Sequence, residues 1–248
     1  FRYPKTGETN AICRVGVVQL KNGQTTWMKV PGDPRNHYLA RMEWADSSEE
    51  LHLQQLNRLQ NTNRVMLANA RDGKVKTVYT DRDDAWIEVR FGFTKWIDKG
   101  TQFTYVSERE GWRQVYLVGR EGKAVQKVTG GNYDVIRALK IDEANQWLYF
   151  IASPHNATQR YLYRVGLDGK NLIRLSPAEQ IGSHSYSISP DAKWAVHTFS
   201  SFAFPPISSL IKLPSHEMVR TLEKNQALRD KLAKLKRPKT EFFHVKIG

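Results

Sequence analysis

Ser183 stands directly before His184 in the run Gly182-Ser183-His184-Ser185-Tyr186. A hydroxyl activated by an imidazole is the chemistry of a serine hydrolase. Such a pair is assembled across space, and adjacent residues rarely face each other in that way. The run therefore reads as a loop entering a strand. Glu49-Glu50 is a second candidate, because two carboxylates can hold an amine. The preceding Asp46-Ser47-Ser48 is turn composition, so the pair reads as a solvated turn between strands. Asn156-Ala157-Thr158 matches the short acceptor tripeptide for glycosylation. There is no Gly-x-Ser-x-Gly nucleophile elbow and no phosphate-binding glycine loop. The seven histidines are scattered, none at zinc-ligand spacing from Cys or from another His. No catalytic residue, no metal site and no cofactor is expected.

Composition narrows the class. The chain has 248 residues, 40% of them hydrophobic and 11% aromatic, which describes a folded protein. No run approaches the ~18 apolar residues of a membrane span. Cys13 is the single cysteine, so an internal disulfide is impossible; it reads as a small core residue. The net charge of +13 could attract nucleic acid. The basic residues are spread along the chain, however, with one dense cluster in 229–239. No nucleic-acid signature accompanies them, and no nucleic-acid partner is expected. The chain opens on Phe1 without a charged-then-apolar leader, which reads as a cut made inside a longer repeat array.

The elements that must carry any site follow a repeat. Turns of one type recur at Asn22-Gly23, Asp72-Gly73, Glu121-Gly122 and Asp168-Gly169, with steps of 50, 49 and 47 residues between the glycines. Each lies between two short β-type runs. A period near fifty with about four strands per period is the sign of a β-propeller, one blade per repeat. The fold class expected is all-β: a partial propeller of about four and a half blades, each a four-stranded antiparallel sheet. The blades fall near 11–30, 38–80, 91–128, 135–175 and 185–213, in a propeller domain covering 1–222. The first is an outer hairpin whose inner half is missing. Trp44, Trp96, Trp147 and Trp194 recur near the first or second strand of a repeat and are expected to pack between blades. After Met218 the pattern changes. Asn225 is expected to cap a helix over 226–236, with Leu228, Leu232 and Leu235 on one face and Pro238 ending it. A strand is expected at 241–247. The segment 223–248 reads as a linker helix and first strand of a further domain.

Several stretches resemble one family. Tyr3-Pro4-Lys5-Thr6-Gly7 with Asn10 is similar to the Tyr-Pro-Lys-x-Gly-x-x-Asn segment of the dipeptidyl peptidase IV family of serine peptidases. Trp86-Ile87-Glu88, followed by Ser107-Glu108-Arg109-Glu110-Gly111-Trp112, resembles its Ser-Glu-x-x-Gly-Trp/Tyr blade. Thr129-x-Gly131 with Tyr133-Asp134-Val135 is similar to its Thr-x-Gly-x-Trp-Glu-Val. Leu222-Glu223-Lys224-Asn225 with Leu228 resembles the helix that precedes its hydrolase domain. The resemblance implies the second half of an eight-bladed propeller, with an α/β-hydrolase domain to follow. It implies removal of N-terminal dipeptides after Pro or Ala, by a Ser-Asp-His triad beyond Gly248. The family's amine-binding Glu pair would lie before Phe1, so Glu49-Glu50 does not take that role. The segment alone would be inactive, gating and placing the peptide. Arg90 and Phe91, similar to the family's Trp-x-x-x-Arg-Phe stretch, are its candidate substrate-binding residues, although the spacing from Trp86 departs by one. Partners implied are peptide substrates, the upstream blades, the hydrolase domain and a second copy in a homodimer. The implied location is periplasmic or in the cell envelope. The competing reading is a TolB-like propeller scaffold for protein binding, which should end with its last blade; the helix and strand after Met218 favour the peptidase.

Overall fold

The computed structural model describes residues 7–89, 93–236, 241, 243 and 245–247. Among them the architecture is all-β, with one short helix. The first sheet is a hairpin, β1 (Gly16–Val18) with β2 (Thr25–Trp27). Four four-stranded antiparallel sheets follow, each paired in sequence order. They are β3 (His37–Trp44), β4 (Glu50–Asn57), β5 (Thr62–Asn69) and β6 (Val75–Arg82); then β7 (Trp96–Ile97), β8 (Gln102–Ser107), β9 (Gln114–Gly119) and β10 (Val125–Lys127). The next is β11 (Val135–Asp142), β12 (Trp147–Ala152), β13 (Tyr161–Gly166) and β14 (Ile173–Arg174). The last is β15 (Ser183–Ile188), β16 (Trp194–Ser200), β17 (Ile207–Lys212) and β18 (Met218–Glu223), before α1 (Gln226–Ala233). Four full blades and a leading half are the propeller repeat that the fifty-residue period predicts. The chain divides into two compact units, 1–155 with 163–173, and 156–162 with 174–248.

Burial is nearly continuous along the middle strands, polar positions such as His52, Gln54 and Asn63 included. β4, β5, β8 and β9 are buried along almost their whole length, because both of their faces are covered. The alternation along β5 shows the two directions. Val65 and Leu67 join Val78, Phe103, Tyr105 and Val118 in a core shared with the second blade. Met66 and Ala68 instead join Leu51, Leu53, Val15 and Met28 in a core shared with the first hairpin. A one-residue slip would exchange these sets, so register is fixed by two cores at once.

The repeated glycines do two jobs. Gly73 and Gly122 have φ of +72° and +74°, as a tight hairpin turn needs. A Cβ at either would lie 2.2 Å from a backbone oxygen of the preceding sheet, that of Trp27 and Val78 respectively. Each turn thus rests against the outer strand of the blade before it, closer than any side chain permits.

Several expectations fail. Cys13, which precedes β1, is exposed and is not a core residue. Trp44 and Trp194 sit at strand ends and are exposed; Trp96 alone packs against the core between the first two full blades. Trp147 is half-buried, under the Arg164 guanidinium 4.1 Å from its ring. The fourth full blade does not end at Leu213, because β18 completes it. Leu222 and Glu223 therefore finish a strand and do not begin the helix. Asn225 is left-handed (φ +50°) and makes no side-chain cap; its amide donates to the Pro206 carbonyl at 2.6 Å. The helix is shorter than expected, ending at Ala233. Residues 241, 243 and 245–247 lie in no strand.

Candidate functional site

Arg90 and Phe91 lie outside the described residues, but both stems that lead to them are held. Asp83 caps its own turn, its Oδ1 accepting from the Ala85 and Trp86 amides at 2.8 and 3.2 Å. Ile87 is buried and its amide donates to the Gln60 carbonyl at 2.9 Å. The Val89 carbonyl accepts from Arg41 Nη2 at 2.9 Å. Past the segment, the Thr104 hydroxyl donates to the Phe93 carbonyl at 2.6 Å and accepts from the Lys95 amide at 2.9 Å. Trp86 remains half-exposed beside the first stem.

Beneath these stems is a buried polar network that joins β4, β5, β6 and β8. Asn63 donates to Gln54 and to the Tyr105 hydroxyl, both at 2.9 Å. Ser107 donates to Asp81 at 2.9 Å. Arg109 reaches the Tyr79 hydroxyl at 2.7 Å. Burial pushes the Asp81 carboxyl upward, opposed by hydrogen bonds from Ser107 and Tyr105 and by the Arg109 charge. Burial, with the neighbouring Asp81 charge, pushes Tyr79 up to about 12. The phenols thus stay protonated at neutral pH and act as neutral hydrogen-bond groups. Arg113 clasps Glu108 through Nε at 2.8 Å and Nη2 at 2.6 Å on the next turn. The space between network and stems is nearly filled, with notches of about 10 and 20 Å³. The arrangement is a hydrogen-bonded polar layer under the two stems, in which the one hydroxyl–carboxylate contact, Ser107 to Asp81, is buried.

The other sequence candidates resolve as follows. His184 lies in β15 and is buried, and its ring bonds to His197 and to the Gln180 carbonyl, so Ser183 is not paired with it. Glu49 meets Arg71 on the surface at 2.8 Å. Glu50 is not part of a solvated turn. It opens β4 and, half-buried, accepts from Arg120 Nη2 at 2.6 Å. Arg120 also donates to the carbonyls of Gly100 and Ala45, at 2.8 and 3.1 Å, and lies 4.7 Å from the Trp96 ring centre. It locks the first full blade to the second. The Asn156 side chain accepts from the Thr158 hydroxyl at 2.7 Å in an exposed turn. Among the described residues no three His, Cys, Asp or Glu side chains form a metal-binding group, and no helix is long and apolar enough to cross a membrane.

Two larger clefts are polar. One, about 400 Å³, is lined by His37, Gln55, Asn57, Arg64 and Arg82. His37 is buried there, its Nδ1 3.0 Å from Gln55, and burial lowers its pKa against the pull of Asp33. The other, about 570 Å³, lies between the second and third full blades beside Asp98, Glu143 and Asp168. The buried network and the Arg120 clamp were not read from sequence. Ser107 and Arg109 belong to a recognisable motif, but their partners, Asp81 and Tyr79, both lie on β6, 26 and 30 residues away.

Residues 1–206 match the family described as the dipeptidyl peptidase IV (DPP IV) N-terminal region. The probable dipeptidyl peptidase 4 of Emericella nidulans is 24% identical over 258 residues, covering 100% of this chain and 33% of that protein. The dipeptidyl peptidase 4 of Trichophyton rubrum is 23% identical over 253 residues, covering 100% of this chain and 32% of that one. The chain thus spans about a third of the length of these relatives. The crystal structure of Porphyromonas gingivalis dipeptidyl peptidase 4 superposes with a TM-score of 0.84 at 27% identity, over 94% of this chain and 32% of that one.

Proposed function

The chain belongs to the family of dipeptidyl peptidase IV N-terminal regions, and on that premise we propose that it is the non-catalytic propeller portion of a serine exopeptidase that removes N-terminal dipeptides with a Pro/Ala-type preference. Its share of the work is to gate access and to hold the peptide in place. Orientation of this kind lowers a barrier by fixing geometry rather than by breaking bonds. The match over residues 1–206 is the observation on which the reading rests. The anchored stems on either side of 90–92 support it, because a substrate-contacting segment works best on a rigid base. In this reading Phe91 packs against the substrate side chain, with Arg90 adjacent. The working protein is a homodimer outside the cytoplasm, in the periplasm or cell envelope.

The test uses the longer polypeptide that carries this chain. It should release nitroaniline from dipeptide-nitroanilide substrates and lose that activity when its nucleophilic serine is replaced. The present chain alone should not turn these substrates over. Turnover by the purified chain, or an inert longer polypeptide, would sink the reading. Within the longer protein, Phe91→Ala should shift the kcat/KM ratio between bulky and small apolar substrates about tenfold, for a loss of ~1.4 kcal/mol of packing. A large drop in melting temperature with an unchanged ratio would instead make Phe91 a structural residue.

A further inference from the structure

Three of the seven histidines, far apart in sequence, meet in the second unit. His184 and Tyr186 project from β15, His197 from β16, and His216 from the turn between β17 and β18. The His184 and His197 rings stack at 5.1 Å and 9°, and Tyr186 stacks on His197 at 4.6 Å and 15°. His216 meets the His197 ring edge-on at 4.8 Å. The cluster reaches the earlier part of the same unit. Tyr186 bonds Ser176 at 2.8 Å, and the Ser176 hydroxyl accepts from the Leu162 amide at 2.7 Å. His184 also packs on Tyr161 at 5.4 Å.

The hydrogen bonds assign the protons. A carbonyl can only accept, so His184 Nε2, 2.9 Å from the Gln180 oxygen, carries a hydrogen. With His184 neutral, its Nδ1 is the acceptor and His197 Nε2, 2.9 Å away, is the donor. Tyr186 lies 2.9 Å from His216 Nε2. Every ring in this arrangement is neutral. A second proton on His184 goes to Nδ1, where it meets the His197 N–H until that ring moves its own proton to Nδ1. Three imidazolium rings in one buried cluster would also repel each other. The neighbouring charges give little relief: Arg174 lies 3.7 Å from the Tyr161 ring centre and opposes protonation, while Glu179 alone favours it, at His216.

We propose that this His184–His197–His216 cluster is a pH-sensitive lock, which fastens β15 and β16 to the segments 156–162 and 174–182 when neutral and releases them on mild acidification. Burial holds His184 down to about 4, opposed by its bond to Gln180, and holds His197 down to about 3, with the His216 and His184 charges adding to the effect. In an opened blade both would return to the ordinary 6.5. The folded values are depressed, so the stabilisation is complete above pH 6.5 and fades as pH falls from there. Each of these two histidines then favours opening about 30-fold at pH 5, or about a thousandfold together.

Hydrogen exchange read by mass spectrometry, on the intact polypeptide at pH 7.5 and 5.0 and corrected for intrinsic rates, tests the lock. Protection of β15 and β16 should fall about a thousandfold. That of β9, which contains no histidine, should change less than about tenfold. His197→Gln keeps an N–H donor for His184 but cannot titrate, and should reduce the fall to about 30-fold. Protection in β15 and β16 that persists at pH 5, or a fall undiminished in His197→Gln, overturns the proposal. Should that variant not fold, the wild-type pH series decides by itself, because a loss confined to below pH 4 would also overturn it.

Discussion

Replacing Gly122 by alanine should weaken the fold through contact with a neighbouring blade more than through its own turn. Two costs are expected. The φ of +74° is one that an L residue adopts at a cost of about 1 kcal/mol. The added Cβ would also lie 2.2 Å from the Val78 oxygen, 2.9 Å from its carbonyl carbon and 3.1 Å from its Cα. All three are backbone atoms of β6 and cannot swing away. Restoring ordinary contact means moving the turn off the preceding sheet by about 1 Å, an overpacking strain of roughly 1 to 3 kcal/mol. The total is about 2 to 4 kcal/mol. Gly23→Ala supplies the control, because Gly23 has nearly the same φ, +71°, with no atom within 4 Å of the added Cβ. It should cost about 1 kcal/mol. Urea unfolding followed by tryptophan fluorescence gives both values, and melting temperatures should drop by ~2–4 °C per kcal/mol for a chain of this size. If the two variants lose the same stability within about 0.5 kcal/mol, the turn does not bear on β6 as described and the argument fails.

Arg120→Ala should destabilise by about 2 to 3 kcal/mol, since it strands the Gly100 and Ala45 carbonyls and uncovers Trp96. Arg120→Lys should recover little, because one ammonium cannot serve a carboxylate and two carbonyls in a fork; full recovery in a thermal melt would contradict this. His52 is fully buried against Phe103 and Trp96, and burial holds it down to about 4. Glu43 approaches to 3.4 Å, but the neutral ring makes this no ion pair at pH 7. The depressed value means that stability present above pH 6.5 is lost as pH falls toward 4, by up to about 3 kcal/mol. His52→Leu should lack that part of the acid sensitivity, and parallel pH–stability curves for variant and wild type would refute it.

The sequence alone carried the blade count and the all-β class, because a fifty-residue period with a glycine turn is a local signal repeated four times. It also carried the family resemblance, and it excluded a disulfide within these 248 residues. Its failures have a common cause. Trp44 and Trp96 look equivalent in a repeat, but only Trp96 has a guanidinium and a second sheet over it; that depends on Arg120, 24 positions later. Glu50 reads as turn composition until Arg120 is brought to it from 70 residues away. β18 escaped notice because an outer strand exposed along most of its length lacks the apolar signature of the middle ones. Asn225 has the composition of a helix cap, yet its amide is taken by Pro206. The histidines carry no spacing motif at all: β15 and β16 bring His184 and His197 together by register, and the following turn adds His216. Period and composition are properties of neighbours along the chain, whereas burial, proton placement and the contacts between blades are set by which strands the fold lays side by side.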